Sequence, residues 1–327
     1  MYATRIAKGF FDLEAKPLIE RSMPGIMSRL ACGFFVPENG YLELINEIEA
    51  RDTVPTFQIL LFEQNDDLTS RIDELLSIGL PDIFEGLRVV KIEGDESPKT
   101  IRVFQWQDFL DQFIGLRRRP TEPIGYAKVS EAQFHCLLAG LIFWDPEMEL
   151  ARAQGQWDHM PQEVWCWRLH WAWKNIIPNE TMTRMVKEDG TGMARLSVYK
   201  RIEWACRLAF LTARKYAPPT HLLLKVLRNI TDFGGIAERL SWCLNSADLS
   251  ESINLCDEVL CDLRNRLVAR KVMPADLGIT EERNICDPER ISDHFLSVVP
   301  SNFRNQAGRI CPVDLIGLLM QSSKFAP

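Results

Sequence analysis

The sequence predicts an α+β protein in which a small α/β domain with a short mixed sheet precedes a larger all-helical domain. Apolar runs of the strand type are confined to the first third of the chain. After Trp106 the apolar residues recur at helical spacing instead. The segment 117–123 contains three arginines and two prolines, which makes it the best linker candidate. We therefore place the domains at residues 1–119 and 120–327.

Helices and strands alternate in the first predicted domain. Tyr41, Leu44, Ile45 and Ile48 recur at i, i+3, i+4 and i+7, which predicts a short helix between the first two strands. The predicted strands are 30–36, 56–62, 87–92 and 100–106, and the predicted helices are 10–22, 41–48, 68–78 and 108–116.

The second predicted domain contains helices only. The segment 193–216 is the most central helix by composition. The helix around Trp165–Trp173 contains four tryptophans, which favours either a packing face or the wall of a ligand cavity. The predicted helices are 130–143, 147–157, 161–176, 193–216, 220–230, 233–246, 249–270 and 312–322.

Charge and hydropathy exclude several classes of partner. The formal net charge of −7 argues against a nucleic-acid-binding surface, which requires a positive field. The longest apolar run, 137–144, is far shorter than the roughly 20 residues needed to span a membrane. Asp12 and Glu14 interrupt the N-terminal apolar residues, so no signal peptide is expected. We expect a cytoplasmic protein with no nucleic-acid or membrane partner.

The nine cysteines form no CxxC pair and show no framework spacing, which is typical of reduced thiols in the cytosol. Several of them fall on apolar helical faces, where they are expected to be small core residues. A catalytic thiol among these is the alternative. They are Cys136, Cys166, Cys206, Cys256 and Cys261.

Several stretches of the second domain resemble one protein family in the same order. Ala139–Asp145 is similar to a G-x-V-F-x-D motif, and Arg152 follows at the family's spacing. Met160–Trp165 resembles a Y-P-x-D-V-W helix start, and Arg207–Pro218 resembles an R-L-A-F-L…R-x-Y-A-P segment. The family comprises nucleotidyltransferase-like proteins of largely unknown function. It pairs a minimal polymerase-β-type nucleotidyltransferase domain with a helical domain, and the resemblance reaches about residue 235.

The resemblance implies a degenerate catalytic motif in the first domain. The family's phosphate-binding G-S-E turn aligns with Pro37, Glu38 and Asn39, but Pro37 has no N–H to donate and Glu38 would repel a phosphate. The first of its two metal-binding aspartates aligns with Ala50, whereas the second is kept as Asp52. One carboxylate is a poor Mg²⁺ site, so no metal or other cofactor is expected.

Three carboxylates remain as candidate catalytic residues: Asp52, Glu49 and Glu38. In a partly closed cleft their pKa values would rise, and they could serve as metal-independent acids or bases. Alternatively, Asp52 and a neighbouring glutamate form an unusual Mg²⁺ pair in an active nucleotidyltransferase acting on a small hydroxylated metabolite.

Other residues are candidates for ligand binding. Arg51 either holds an anion or forms a surface ion pair with Asp52. The segment 183–192 resembles a polar loop that faces the nucleotide domain in the family, although Asp189-Gly190 also suits a simple turn. His221 replaces a lysine of the family pattern. The candidates are Arg51, Arg152, Trp165, Arg184, Asp189, Arg195, Tyr216 and His221.

The sequence-based hypothesis is a repurposed or pseudo-nucleotidyltransferase that binds a small molecule in an interdomain cleft. The alternatives are the active Mg²⁺-dependent enzyme and a non-catalytic scaffold or regulator. The sequence does not specify the ligand or the oligomeric state.

Overall fold

The computed structural model describes residues 2–35, 53–92, 99–188, 191–278 and 286–308. The chain divides into two compact units. Unit 1 comprises Met1–Arg119 and Gln133–His159, and unit 2 comprises Pro120–Ala132 and Met160–Pro327. The predicted α+β class is confirmed, because unit 1 contains a small mixed sheet and unit 2 is helical. Residues 133–159 belong to unit 1, which contains the sheet. The sequence instead predicts a single domain boundary between residues 119 and 120.

The sheet of unit 1 has the strand order β5-β2-β1-β6. β1 pairs antiparallel with β2 and β6, and β2 pairs parallel with β5. β3 and β4 form a separate hairpin. The strands are β1 (Leu30–Phe34), β2 (Phe57–Leu61), β3 (Ile83–Phe84), β4 (Leu87–Arg88), β5 (Ile101–Gln105) and β6 (Leu141–Trp144).

Strands β1 and β2 form the centre of the sheet, and every residue in both is buried. Such nearly continuous apolar runs suit strands that are covered on both faces. The rings of Phe10 and Phe11 each meet the ring of Phe57 edge to face. The helices of unit 1 are Tyr2–Phe10, Phe11–Ala15 (π), Lys16–Ser22, Ile26–Arg29 (3-10), Asp66–Gly79, Trp106–Ile114, Glu131–Leu138 from residue 133 onwards, and Glu149–Trp157.

The predicted helix 130–143 is wrong in its second half. The helix ends at Leu138, and Leu141–Trp144 is strand β6. Gly140 lies between them with the Phe35 ring packed against its Cα, where an added Cβ would be 2.1 Å from the ring. The missing side chain therefore allows this close approach of an aromatic ring.

Two other predicted elements of the first domain need comment. The predicted strand 87–92 shortens to Leu87–Arg88, which pairs with Ile83–Phe84 through a turn at Glu85 and Gly86. Both turn residues have positive φ. Arg88 also forms an isolated parallel bridge with Thr53. The predicted helix 41–48 lies outside the described residues.

Unit 2 is built around the long helix Thr191–Thr212, as the composition predicted. It packs against Gln162–Lys174, Asn179–Glu188, Gly234–Asn245 and Leu249–Ala269. The helices of this unit are Pro123–Ala127, Gln162–Lys174, Asn179–Glu188, Thr191–Thr212, Thr220–Leu222 (3-10), Leu223–Leu227, Gly234–Asn245, Leu249–Ala269, Pro288–Val298 and Ser301–Ala307. The predicted helix 312–322 lies outside the described residues.

The tryptophan-rich helix Gln162–Lys174 is a packing element. Trp165, Trp167 and Trp173 are buried, and the helix lies against Pro288–Val298. His170 is also buried, with Nδ1 3.0 Å from the carbonyl oxygen of Ser292. In the part of the chain that is described, no helix is both long and apolar enough to cross a membrane.

Gln58 ties the end of β1 to β2 through the backbone of Phe35. The Phe35 N–H donates to Gln58 Oε1 (2.9 Å), and Gln58 Nε2 donates to the Phe35 carbonyl (3.1 Å). Gln58→Ala leaves both buried backbone groups without these partners, so we expect the free energy of unfolding to fall by about 2–4 kcal/mol in urea titrations. Gln64→Ala removes an exposed contact with Gln107 and is the control, with a change below about 0.5 kcal/mol. Equal losses in the two variants would contradict this role for Gln58.

Burial lowers the pKa of His170, although its contact with the Ser292 carbonyl opposes the shift. The pKa of histidine in the unfolded chain is about 6.5. Above this pH, His170 is neutral in both the folded and the unfolded state. Below it the unfolded chain takes up a proton that the folded chain resists, so stability falls as the pH decreases. We expect His170→Asn to weaken the loss of stability between pH 7.5 and 5.5, measured by thermal unfolding. The exposed His159→Asn change is the control, and an unaltered pH dependence in His170→Asn would refute the assignment.

Candidate functional site

The helices Asn179–Glu188 and Leu249–Ala269 of unit 2 enclose a pocket of about 750 Å³. Each helix contributes one face, because its lining residues recur every three or four positions. From the first helix these are Asn179, Thr183, Val186 and Lys187, and from the second they are Ser250, Ile253, Asn254, Asp257, Glu258 and Cys261. Most lining residues thus have polar side chains, although apolar atoms supply the larger share of the pocket surface.

Asp257 is the best-anchored residue of this lining. Its Oδ1 accepts a hydrogen bond from Arg201 Nη2, and its Oδ2 accepts one from Asn179 Nδ2. Burial raises the pKa of Asp257, whereas the Arg201 guanidinium and the two hydrogen bonds oppose the rise. The carboxylate is therefore fixed in orientation by two different helices.

Asn179 is itself held in place by its own helix. Thr183 Oγ1 donates to Asn179 Oδ1 at 2.9 Å, which leaves the Asn179 amide NH₂ to face Asp257. A chain of hydrogen bonds thus runs from Thr183 through Asn179 to Asp257. Its members come from both walls of the pocket, so the network fixes the spacing of the walls.

Arg201 lies on the central helix Thr191–Thr212 and is only 1% exposed. Its contact with Asp257 is a buried ion pair. Its Nε and Nη1 atoms have no hydrogen-bond partner among the described residues. The Asp257 carboxylate is therefore the group that compensates the buried positive charge of Arg201.

A second, smaller pocket of about 420 Å³ continues along the helix Leu249–Ala269. It shares Asn254 and Glu258 with the first pocket. Trp242, which is 42% exposed, lies in its wall together with Glu238 and Glu251. The two pockets therefore adjoin each other along the helix Leu249–Ala269.

The three catalytic candidates lie outside the described residues. Five of the site residues predicted from the sequence lie outside the described residues: Glu38, Glu49, Arg51, Asp52 and Asp189. Within the described ranges, no group of three or more His, Cys, Asp or Glu side chains could hold a metal ion.

The other three predicted arginines lie on three different helices. Arg152 is exposed on Glu149–Trp157, and its Nη2 donates to the Glu147 carbonyl at 3.4 Å. Arg184 is exposed on Asn179–Glu188, and Arg195 is half-buried on Thr191–Thr212. None of the three lines the pockets described above.

The predicted polar loop 183–192 is wrong in its first part, because Asn179–Glu188 is a helix. Met182, Met185 and Val186 recur at i, i+3 and i+4, and Met182 is fully buried. Met182 anchors the helix in the core, whereas Thr183, Val186 and Lys187 line the pocket and Arg184 does not.

The predicted aromatic ligands are buried in unit 2. Trp165 is 3% exposed, and its Nε1 donates to the Leu211 carbonyl at 2.7 Å. Tyr216 is also 3% exposed, with the Arg168 guanidinium 5.6 Å from its ring centroid. His221 is exposed, and partial desolvation lowers its pKa. None of them lines the two pockets.

Two acidic residues within or near the family-like stretches have structural roles. Asp145 accepts hydrogen bonds from the N–H groups of Glu149 and Ala151 and so caps a helix. Glu131 accepts the N–H of Ala217 at 3.1 Å and pairs with Arg168 at 3.4 Å. Both carboxylates therefore stabilise the fold.

One helix face of the sequence carries a signal for the pocket. Polar residues occur at 250, 254, 257, 258 and 261, which share one face of the predicted helix 249–270. Cys261 was expected to be a core residue, and this is wrong, because it is half-exposed and lines the pocket. The other four cysteines of that prediction are buried: Cys136, Cys166, Cys206 and Cys256.

Comparison with known proteins gives a family match and a structural similarity. Residues 126–221 match the model of a family described as a domain of unknown function (DUF4037). The match covers less than a third of the chain, and it supports the predicted resemblance to a family of unknown function. The chain is also similar to the crystal structure of a nucleotidyltransferase-like protein from Exiguobacterium sibiricum 255-15, with 11% identity, a TM-score of 0.34, and coverage of 93% of this chain and 92% of the other. No curated protein matches the chain.

Removal of Asp257 tests the dependence of Arg201 on its partner. Asp257→Ala leaves a charged guanidinium buried without compensation, so we expect unfolding free energy to fall by about 3–5 kcal/mol. The double change Arg201→Met with Asp257→Leu removes both charges and is expected to cost less than Asp257→Ala alone.

Denaturant titrations of each variant measure these costs. Asp262→Ala is the matched control, because it lies on the same helix and removes a partly exposed ion pair with Arg239. Its cost should be about 0–1 kcal/mol. If Asp257→Ala were no more costly than this control, Arg201 would not depend on Asp257.

Proposed function

We propose that the chain is a repurposed nucleotidyltransferase-like protein that binds a small polar molecule in the pocket of unit 2. The observation that carries the proposal is Asp257, a carboxylate held by Arg201 and Asn179 at the wall of a 750 Å³ pocket. Pockets of roughly 300–1,000 Å³ suit small-molecule ligands.

The lining indicates the chemistry of the ligand. An ionised carboxylate offers about four acceptor sites, so Asp257 keeps capacity after its two hydrogen bonds. Glu258 adds a second carboxylate, and Lys187 adds a donor on the opposite wall. Val186 and Ile253 supply an apolar strip. A metabolite with several hydroxyl groups or an amine, and a short carbon skeleton, matches this arrangement.

The proposal also holds that Mg²⁺-dependent nucleotidyl transfer has been lost. Its support is the resemblance that places Pro37 in the phosphate turn and Ala50 at the first metal position. Any remaining chemistry would be metal-independent and would use Asp52, Glu49 or Glu38 as acid or base. The thiol-rich composition favours a cytosolic location.

A ligand screen tests the pocket. We expect hydroxylated and amino-bearing metabolites, tested singly by thermal shift, to include at least one that raises the melting temperature, because ligands stabilise the state they bind. Glu258→Gln should weaken the Kd of that compound at least about tenfold by calorimetry, which corresponds to about 1.4 kcal/mol.

The control for this experiment is Glu180→Gln, which changes an exposed glutamate on the neighbouring helix that does not line the pocket. It should leave the Kd unchanged. Equal effects of the two variants would place the ligand elsewhere and reject the pocket.

A separate assay addresses nucleotidyl transfer. Each nucleoside triphosphate is titrated with Mg²⁺ at millimolar concentration, and transfer to the same metabolites is followed by mass spectrometry. We expect neither binding nor transfer. Transfer that Asp52→Asn abolishes would establish the alternative, an active enzyme.

A further inference from the structure

Two thiols meet at the end of the pocket. The Cys286 thiol donates a hydrogen bond to the sulfur of Cys261, with 3.4 Å between the two Sγ atoms. Cys261 lines the pocket and is half-exposed, whereas Cys286 is only 4% exposed. All the cysteines in the described part of the chain are thiols, with no disulfide. The pair therefore combines one accessible sulfur with one sheltered sulfur.

The surroundings favour the thiolate form of Cys261. The hydrogen bond from Cys286 lowers the pKa of Cys261 to about 7 against the effect of partial burial, and Arg264 on the next turn adds to the decrease. Asp257, one turn earlier, opposes it. Burial instead raises the pKa of Cys256, on the same helix, to about 12. Since the thiolate is the nucleophile, Cys261 is the reactive member of this group.

We propose that Cys261 and Cys286 form a redox pair in which Cys261 reacts with a hydroperoxide from the pocket and Cys286 completes a disulfide. This goes beyond ligand binding and does not depend on the identity of the ligand. It rests on the sulfur–sulfur contact and on the opening of Cys261 to the pocket.

The reaction balances in two steps. The Cys261 thiolate attacks the distal oxygen of ROOH, the O–O bond breaks, and ROH leaves after taking a proton, which gives Cys261 sulfenic acid. The Cys286 sulfur then attacks the Cys261 sulfur, the S–O bond breaks, and water leaves with the Cys286 proton. Two thiols are oxidised by two electrons, and one hydroperoxide is reduced to an alcohol, or to water when R is hydrogen.

The first test maps the product in the full-length protein. Reduced protein is treated with a small excess of hydrogen peroxide at pH 7, and its intact mass and peptides are measured. We expect a mass loss of two hydrogen atoms, a peptide that links Cys261 to Cys286, and reversal by dithiothreitol. A link between other cysteines, or no link under these conditions, would overturn the proposal.

Variants separate the two roles. Cys286→Ser should stop at Cys261 sulfenic acid, seen as a dimedone adduct, and Cys261→Ser should give neither a dimedone adduct at Cys286 nor a disulfide. Cys256→Ser is the matched control on the same helix and should form the link as the wild type does. A dimedone adduct on Cys286 in Cys261→Ser would reverse the assignment.

Alkylation provides a readout that needs no variant. In folded wild-type protein at pH 7, iodoacetamide should label Cys261 at least about tenfold faster than Cys256, because only Cys261 is accessible and has a low pKa. Equal rates would contradict the proposed reactivity.

Discussion

The buried contact between Arg201 and Asp257 constrains the helical unit more than any other interaction of the candidate site. A guanidinium that is 1% exposed is costly to desolvate, so the packing of Thr191–Thr212 against Leu249–Ala269 must bring the carboxylate to it. This requirement fixes the rotation of Leu249–Ala269. Because Asp257 must face Arg201, Val259 and Leu263 of the same helix face the core. The residues that line the pocket lie on the other side of this helix. Asn179 extends the constraint to a third helix.

Unit 1 is organised by a different constraint, the burial of both faces of β1 and β2. The segment 36–52, which holds the three candidate acids, is flanked by two anchored residues. The backbone of Phe35 forms two hydrogen bonds with the Gln58 side chain, and the Phe35 ring packs on Gly140. The Val54 N–H donates to the Arg88 carbonyl at 3.0 Å. Backbone hydrogen bonds therefore hold the described residues on both sides of this segment.

The elements that the sequence predicts correctly are those whose pattern is local. A local apolar run predicts each of the strands β1, β2 and β5, and a long apolar stripe predicts the helix Thr191–Thr212. Leu141–Trp144 does not, because four apolar residues suit a helix or a strand equally, and its partner β1 lies more than a hundred positions earlier. The helix Asn179–Glu188 was not predicted because its apolar stripe has only three residues. Its other residues are polar, which is also typical of a loop.

The candidate site was less predictable than the fold because its contacts join residues that are far apart in the sequence. Asp257 is one of many acidic residues until Arg201 and Asn179, which lie 56 and 78 positions away, are brought to it. Likewise, the hydrogen bond that does most to lower the pKa of Cys261 comes from Cys286, 25 positions later. A motif comparison selects residues such as Trp165, which carries a buried hydrogen bond to Leu211. Sites made by pairs distant in sequence are visible only after folding.

The ligand pocket and the thiol pair are linked by geometry, although their proposals are independent. Glu258 and Cys261 are three residues apart on one helix, which is about 4.5 Å along its axis and places them on the same face. A molecule that contacts Glu258 therefore lies beside the Cys261 sulfur and restricts the approach of a hydroperoxide. Under these two proposals, ligand binding and oxidation would use the same surface, so ligand affinity and oxidation rate would be coupled through this one face of Leu249–Ala269.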